Sequence, residues 1–169
     1  TRRRLAVVRQ VLEQLGLRLN ERKSQVVDAR QAGFDFLGFE FRPRPSMDKH
    51  GKRFVGFNPA VSSKAQKAMR QKIRSWNLTR RTSETLEDFA RMYNPIIRGW
   101  INYYGQYYRS ALYPIFNQLN KALRKWAMRK YKRLRGRKRN AVLWLRRIAR
   151  RDRGLFAHWK FSAGPLAGR

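Results

Sequence analysis

Arg53-Phe54-Val55-Gly56-Phe57-Asn58-Pro59-Ala60-Val61-Ser62-Ser63-Lys64-Ala65-Gln66-Lys67-Ala68-Met69-Arg70-Gln71-Lys72-Ile73-Arg74-Ser75-Trp76 is the stretch in which the chain changes its period. Up to Phe57 the residues are aromatic or β-branched and bounded by glycine and proline, which suits a short strand. From Ala65 the apolar positions Ala65, Met69, Ile73 and Trp76 recur every three or four residues, so they share one face of a helix. Asn58-Pro59 therefore closes a β part and a helical part follows. An α+β chain is expected, with a small antiparallel sheet and one helix before residue 58 and a mostly helical bundle after it.

Working back from this switch, Leu5, Val8, Leu12 and Leu15 fall at helical spacing, with Gly16 where a left-handed C-terminal cap belongs. Leu17 and Leu19 alternate with polar residues and read as a strand start, Asn20 to Lys23 as a turn, and Ser24 to Val27 as a second strand. In Phe34-Asp35-Phe36-Leu37-Gly38-Phe39-Glu40-Phe41 the aromatic alternation changes phase across Leu37-Gly38, which predicts a bulge at Gly38. Pro43, Pro45, Asp48 and Gly51 mark a loop, after which Arg53–Phe57 would return as a hairpin strand.

Working forward, Ser83 can cap a helix whose first turn holds Glu84, Glu87 and Asp88 and whose stripe is Leu86, Phe89, Ala90 and Tyr93. Asn94-Pro95 reads as the N-cap and first residue of another helix, with Ile97, Trp100, Ile101, Tyr104 and Tyr108 inward. Pro114 starts one more, through Phe116, Leu119, Leu123, Trp126 and Leu134. About four helices are thus expected between Pro59 and Arg135. A final helix from Ala141 to Arg151 keeps Leu143, Leu145, Ile148 and Ala149 among its arginines and should dock on the bundle. The tail from Ser162 to Arg169 has linker composition and is expected to be mobile. The organisation that follows is 1–58, 59–135 and a basic helical extension with tail at 136–169.

Charge decides the class of partner. The 169 residues carry 41 Lys and Arg against 10 Asp and Glu, a formal charge of +31, which calls for a polyanion. Sixteen of the cations lie between Lys121 and Arg153, where Asp152 is the sole acid. No run of 18 apolar residues exists, so nucleic acid is favoured over membrane. The absence of Cys excludes disulfides and thiolate metal sites. His50 and His158 are far apart and read as an exposed loop residue and a packing residue, the acids Glu13, Glu21, Asp28, Asp35 and Glu40 are scattered, and no metal site is expected. The chain opens at Thr1 inside a helical pattern, without a signal peptide, which reads as a piece of a longer intracellular protein of bacterial cytoplasm or organelle.

Phosphate contacts are expected from Lys64, Lys67, Arg70, Lys72 and Arg74 on the first helix after Pro59. Further contacts are expected from Arg124, Arg129, Lys132, Arg133, Arg137 and Arg139 in the basic run, and from Arg98. Trp76, Trp100 and Trp126 lie on apolar stripes and read as core, as do Phe34, Phe36, Phe39 and Phe41 in the sheet. Tyr103, Tyr107 and Tyr108 are divided between packing and contact with nucleic acid.

Three strings in order resemble a known family. Leu15-Gly16-Leu17-Arg18-Leu19-Asn20-Glu21-Arg22-Lys23-Ser24 and Phe34-Asp35-Phe36-Leu37-Gly38-Phe39 resemble the last palm blocks of group II intron reverse transcriptases. Tyr93-Asn94-Pro95-Ile96-Ile97-Arg98-Gly99-Trp100-Ile101-Asn102-Tyr103-Tyr104 resembles the maturase-specific block of their thumb. The resemblance implies that residues 1–58 end a palm, that Phe36, Leu37 and Gly38 form a primer-grip-like hairpin, and that Lys23 lies near a nucleotide site. It implies RNA-directed DNA synthesis and help to intron splicing for the intact parent, with Mg²⁺ held by a Tyr-Ala-Asp-Asp turn and an upstream Asp. No Asp-Asp pair occurs here, so no catalytic residue, cofactor or activity is expected of this chain alone. Its expected partners are group II intron RNA or a template-primer duplex, with the remaining palm and fingers as a possible separate chain. A stand-alone basic RNA- or DNA-binding module is the alternative; it accounts for the charge but not for the palm-like blocks. An enzyme with its own site would need converging carboxylates, which the sequence does not present.

Overall fold

The computed structural model describes residues 2–20, 24, 28, 32–48 and 50–161. Helix α1, Arg2–Gln14, ends as its sequence dictates: Gly16 sits at φ +70°, its N–H bonds the Glu13 carbonyl, and the Leu17 N–H bonds Leu12. Those two bonds make a Schellman cap. Leu17 to Asn20, expected as a strand start, form no strand: their backbone follows directly from that cap and pairs with no neighbouring strand. The strand expected at Ser24 to Val27 and the tail from Ser162 lie outside the described residues, apart from Ser24 itself.

Strands β1 (Phe34–Phe36) and β2 (Phe39–Phe41) pair antiparallel with Phe36 opposite Phe39. The phase change at Leu37-Gly38 is thus a two-residue hairpin turn, not a bulge. Both residues have positive φ, 48° and 80°, the condition of a type I′ turn, which matches the twist of the flanking strands. Arg53–Gly56 does return as a hairpin strand, but its partner comes from within the segment expected to be a loop. Strand β3 (Arg44–Met47) forms inside the proline-containing segment and pairs with β4 (Arg53–Gly56), while β2 takes β5 (Ala60–Val61) as its second neighbour. Pro45 is tolerated because a two-stranded ribbon leaves each strand an open edge. Of the four phenylalanines of β1 and β2 only Phe39 is buried; Phe34 and Phe36 are exposed, with Phe34 stacked on Phe41.

Helix α2, Ser63–Ser75, begins at Ser62, whose hydroxyl accepts from the Ala65 N–H at 3.2 Å. The next helix is capped by Thr85 rather than Ser83. Thr85 Oγ1 accepts from the Asp88 N–H while Asp88 Oδ2 accepts from the Thr85 N–H, a reciprocal capping box. Lys130 holds the Ser83 and Glu84 carbonyls from outside, so those residues remain a turn.

That helix, α3, runs unbroken from Leu86 to Tyr104 with Pro95 inside it. The expected break at Asn94-Pro95 is absent because the Asn94 side chain is engaged elsewhere. Its Nδ2 donates to the Leu155 carbonyl at 2.8 Å and its Oδ1 accepts from the Ala157 N–H at 2.9 Å, where it satisfies the start of the last helix instead of its own. Three α-helices, not four, therefore fill 63–130, the third being α4, Tyr113–Lys130, with Pro114 in its first turn. Tyr108 lies beyond α3 and is 45% exposed, not inward.

Helices α5 (Lys138–Arg151) and α6 (Ala157–Phe161) complete the bundle. One core runs through all of them: Met69, Phe89, Ile97, Phe116, Leu123, Trp126, Leu145, Phe156 and Trp159 belong to a single buried cluster. Each such side chain contributes about 1.5–3 kcal/mol by burial. Leu143, in contrast, is exposed on the outer face of α5.

Candidate nucleic-acid interface

The hairpin turn is the first feature the fold positions. The Leu37 carbonyl accepts from the Tyr103 hydroxyl at 2.9 Å, and the Gly38 carbonyl accepts from the N–H of Ser62, the N-cap of α2, at 2.8 Å. A Cβ on Gly38 would stand 2.6 Å from the Tyr104 hydroxyl, so glycine is required there for closeness as well as for φ. Phe39 packs among Tyr103, Tyr104 and Tyr107 with ring centroids 5.2–5.8 Å away. Burial, with Tyr103 alongside, raises the Tyr104 hydroxyl above its ordinary pKa, so it stays protonated. The turn tip is thus clamped to the end of α3, yet Phe36 and Leu37 remain 59% and 67% exposed. Tyr103 and Tyr107 serve both packing and surface, being about half exposed. Lys23 lies outside the described residues.

The second feature is a basic strip. On α2 the core face is Ala65, Met69, Ile73 and Trp76. Lys67, Arg70 and Arg74, at i, i+3 and i+7, form one line on the other side, with Lys64 a turn before them. Lys72 lies on the opposite flank of the helix. Arg70 is held by Gln66 Oε1 at 2.7 Å and its carbonyl accepts from Gln118 of α4 at 3.2 Å.

This strip leads into a cleft of about 370 Å³ between α2 and α4, where Arg74 meets Lys121, Arg124 and Lys125 beside Asn77, Thr79 and Gln118. Arg124 Nε is shielded from solvent and has no hydrogen-bond partner among the described residues. A guanidinium held ready in this way suits an anion. A further cleft, about 340 Å³, gathers Arg98 with Arg109 and Lys160, and Arg109 stacks 4.4 Å over the Phe161 ring. Among the described residues, the ion pairs made by Glu40, Glu84 and Asp88 engage Arg42, Arg44, Arg81 and Arg91, none of which lines these clefts.

Of the other expected cations, Arg129 is exposed in the last turn of α4 and Lys132 and Arg133 lie in the 3-10 turn that follows. Arg137 precedes α5 and Arg139 sits in its first turn, both exposed. Sequence reading passed over Lys121, Lys125, Arg109 and Lys160. The first two were within reach, since 121, 124 and 125 share a helix face; the last two are brought to Arg98 only by tertiary packing. His50 is exposed in the turn after β3, and among the described residues no three acids, His or Cys gather in one place.

Residues 66–144 match the family model of the group II intron maturase-specific domain. The matched stretch begins within α2 and ends within α5, so the α2–α4 cleft and the whole of α3 belong to it. The block from Tyr93 to Tyr104 lies at its centre. The match supports a function related to group II intron maturases, and group II intron RNA is the ligand class that a domain of that family implies. No curated protein and no solved structure matches the chain. No helix among the described residues is long and apolar enough to cross a membrane.

Proposed function

We propose that the chain is an RNA clamp, the thumb and maturase part of a group II intron reverse transcriptase, which holds folded intron RNA or a template-primer duplex by its phosphates. The observation that carries this reading is the continuity of Lys67, Arg70 and Arg74 with Lys121, Arg124 and Lys125, a strip and cleft without a lining carboxylate. Displacing counterions from several phosphates at once is what such a surface does well. The hairpin at Leu37-Gly38, fixed against α3, supports a second contact in which its exposed tip backs the end of a strand. In the intact parent these contacts would serve RNA-directed DNA synthesis and intron splicing. This chain has no Asp-Asp pair and is proposed to bind rather than polymerise, with no metal of its own, and the rest of the palm and fingers as a protein partner.

Affinity of the 169-residue chain for structured group II intron RNA and for random duplex RNA, measured across a salt series, tests the reading. Tighter binding to the intron that persists as salt rises is expected. In the variant R74Q/R124Q/K125Q the slope of log affinity against log salt should fall by about 0.7–0.9 for each phosphate that is no longer neutralised. Equal affinities that collapse together with salt would reduce the chain to a general polyanion binder.

A further inference from the structure

A third cleft, about 420 Å³, lies between the start of α3 and the outer side of α5. That volume is within the roughly 300–1,000 Å³ of sites that take a small organic group. Two aromatic rings and three cations line it: Tyr131 and Trp144, with centroids 5.3 Å apart, and Arg133, Arg147 and Arg151. Trp144 is half-buried. It packs on Trp126 of the core and also contributes to the cleft wall. Arg147 and Arg151 follow it at i+3 and i+7 on α5, so ring and guanidinium groups share one helix face. The described ion pairs leave all three arginines unused. Glu87, in the first turn of α3, completes the wall with the one carboxylate.

We infer that this cleft holds a single unpaired nucleotide of the bound RNA, its base against Trp144 and Tyr131 and its phosphates on Arg133, Arg147 and Arg151. A flat ring attached to an anion is the chemistry that an aromatic wall and a guanidinium cluster recognise together. A paired base does not lie against such a wall, because in a duplex both its faces are covered by stacked neighbours and only unstacked bases can be splayed out onto an aromatic side chain. Glu87 offers acceptor oxygens to the N–H groups of a base edge, and guanine presents two side by side. The inference rests on the RNA-clamp reading and adds to it a preference for RNA with an extruded residue.

The test compares a hairpin RNA carrying one bulged guanosine with the same RNA fully paired, both titrated with the 169-residue chain at one salt concentration. The bulged RNA is expected to bind about tenfold more tightly, as one base stacked on an aromatic side chain allows. In R147Q/R151Q, two exposed positions whose change does not touch the core, that preference should disappear. The charge-matched R150Q/R153Q, away from the cleft, should weaken both RNAs alike and keep it. W144A is the sharper probe of stacking, used if its melting curve shows that it folds. Equal binding of the two RNAs by the parent chain would overturn the cleft assignment while leaving the clamp intact. Loss of preference in R150Q/R153Q would also overturn it, by reducing the effect to charge. Binding of neither RNA would remove the clamp reading and this inference with it. Displacement of the bulged RNA by equimolar guanosine monophosphate would overturn it in favour of a free nucleotide.

Discussion

Leu37 occupies a backbone conformation that leucine resists. The first central position of a type I′ turn has positive φ, here 48°, and is ordinarily Asn, Asp or Gly. A branched aliphatic residue there costs about 1–2 kcal/mol. The side chain is 67% exposed, so burial does little to offset that cost, and the carbonyl is bonded to Tyr103. Strain kept at an exposed tip is better explained by a contact outside the chain. Replacing the residue, L37N, should therefore raise stability by about 1 kcal/mol in denaturant melts and weaken binding of a template-primer duplex. A less stable L37N would mean instead that the leucine side chain holds the hairpin. This residue also explains why the sequence suggests a bulge where a hairpin stands. With Leu-Gly in place of Asn-Gly the turn signal is missing, and a phase shift alone does not say whether the chain kinks or reverses.

At the level of elements, the sequence marks where helices lie better than where they start. α1, α2, α4 and α5 follow from their periods, and the Gly16 end of α1 from local chemistry that no distant contact disturbs. The start of α3 has two candidate caps two residues apart. Thr85 prevails because Asp88 stands three residues later and returns a bond, whereas Glu87 is four beyond Ser83. T85A should accordingly destabilise the chain by about 1 kcal/mol, and S83A should change the melt by less than half of that. Equal losses would show that the two caps exchange. Asn94-Pro95 misleads for a different reason: its partners Leu155 and Ala157 are 61 and 63 residues away, and no local pattern reveals them. Cations follow the same division. The α2 line and the α4 triplet are readable from spacing, but their meeting in one cleft is not.

On the scale of the whole molecule, two amides tie the last helix to the rest of the bundle: Asn94 holds its start, and Asn120 holds its buried side chains. Asn120 Oδ1 accepts from Trp159 Nε1 at 3.1 Å and from His158 Nε2 at 2.8 Å, which fixes the tautomer of a fully buried imidazole. Burial pushes His158 down to about 3, from 6.5 when exposed. The folded chain thus keeps this ring neutral while the unfolded chain protonates it below about pH 6.5. Stability from this site is complete above that pH and is lost as pH falls toward 3, at up to about 1.4 kcal/mol per pH unit. A second source of acid sensitivity acts in the same direction: protonating carboxylates raises a charge that is already +31 and increases self-repulsion. A variant separates the two. H158Q retains an N–H donor for Asn120 and all other charges, so it keeps the repulsion and loses the titration. Thermal melts of both chains at pH 7 and pH 5 should show a clearly smaller loss of melting temperature in H158Q. The same loss in both would mean that His158 does not control the acid limit and that charge repulsion alone opens the bundle.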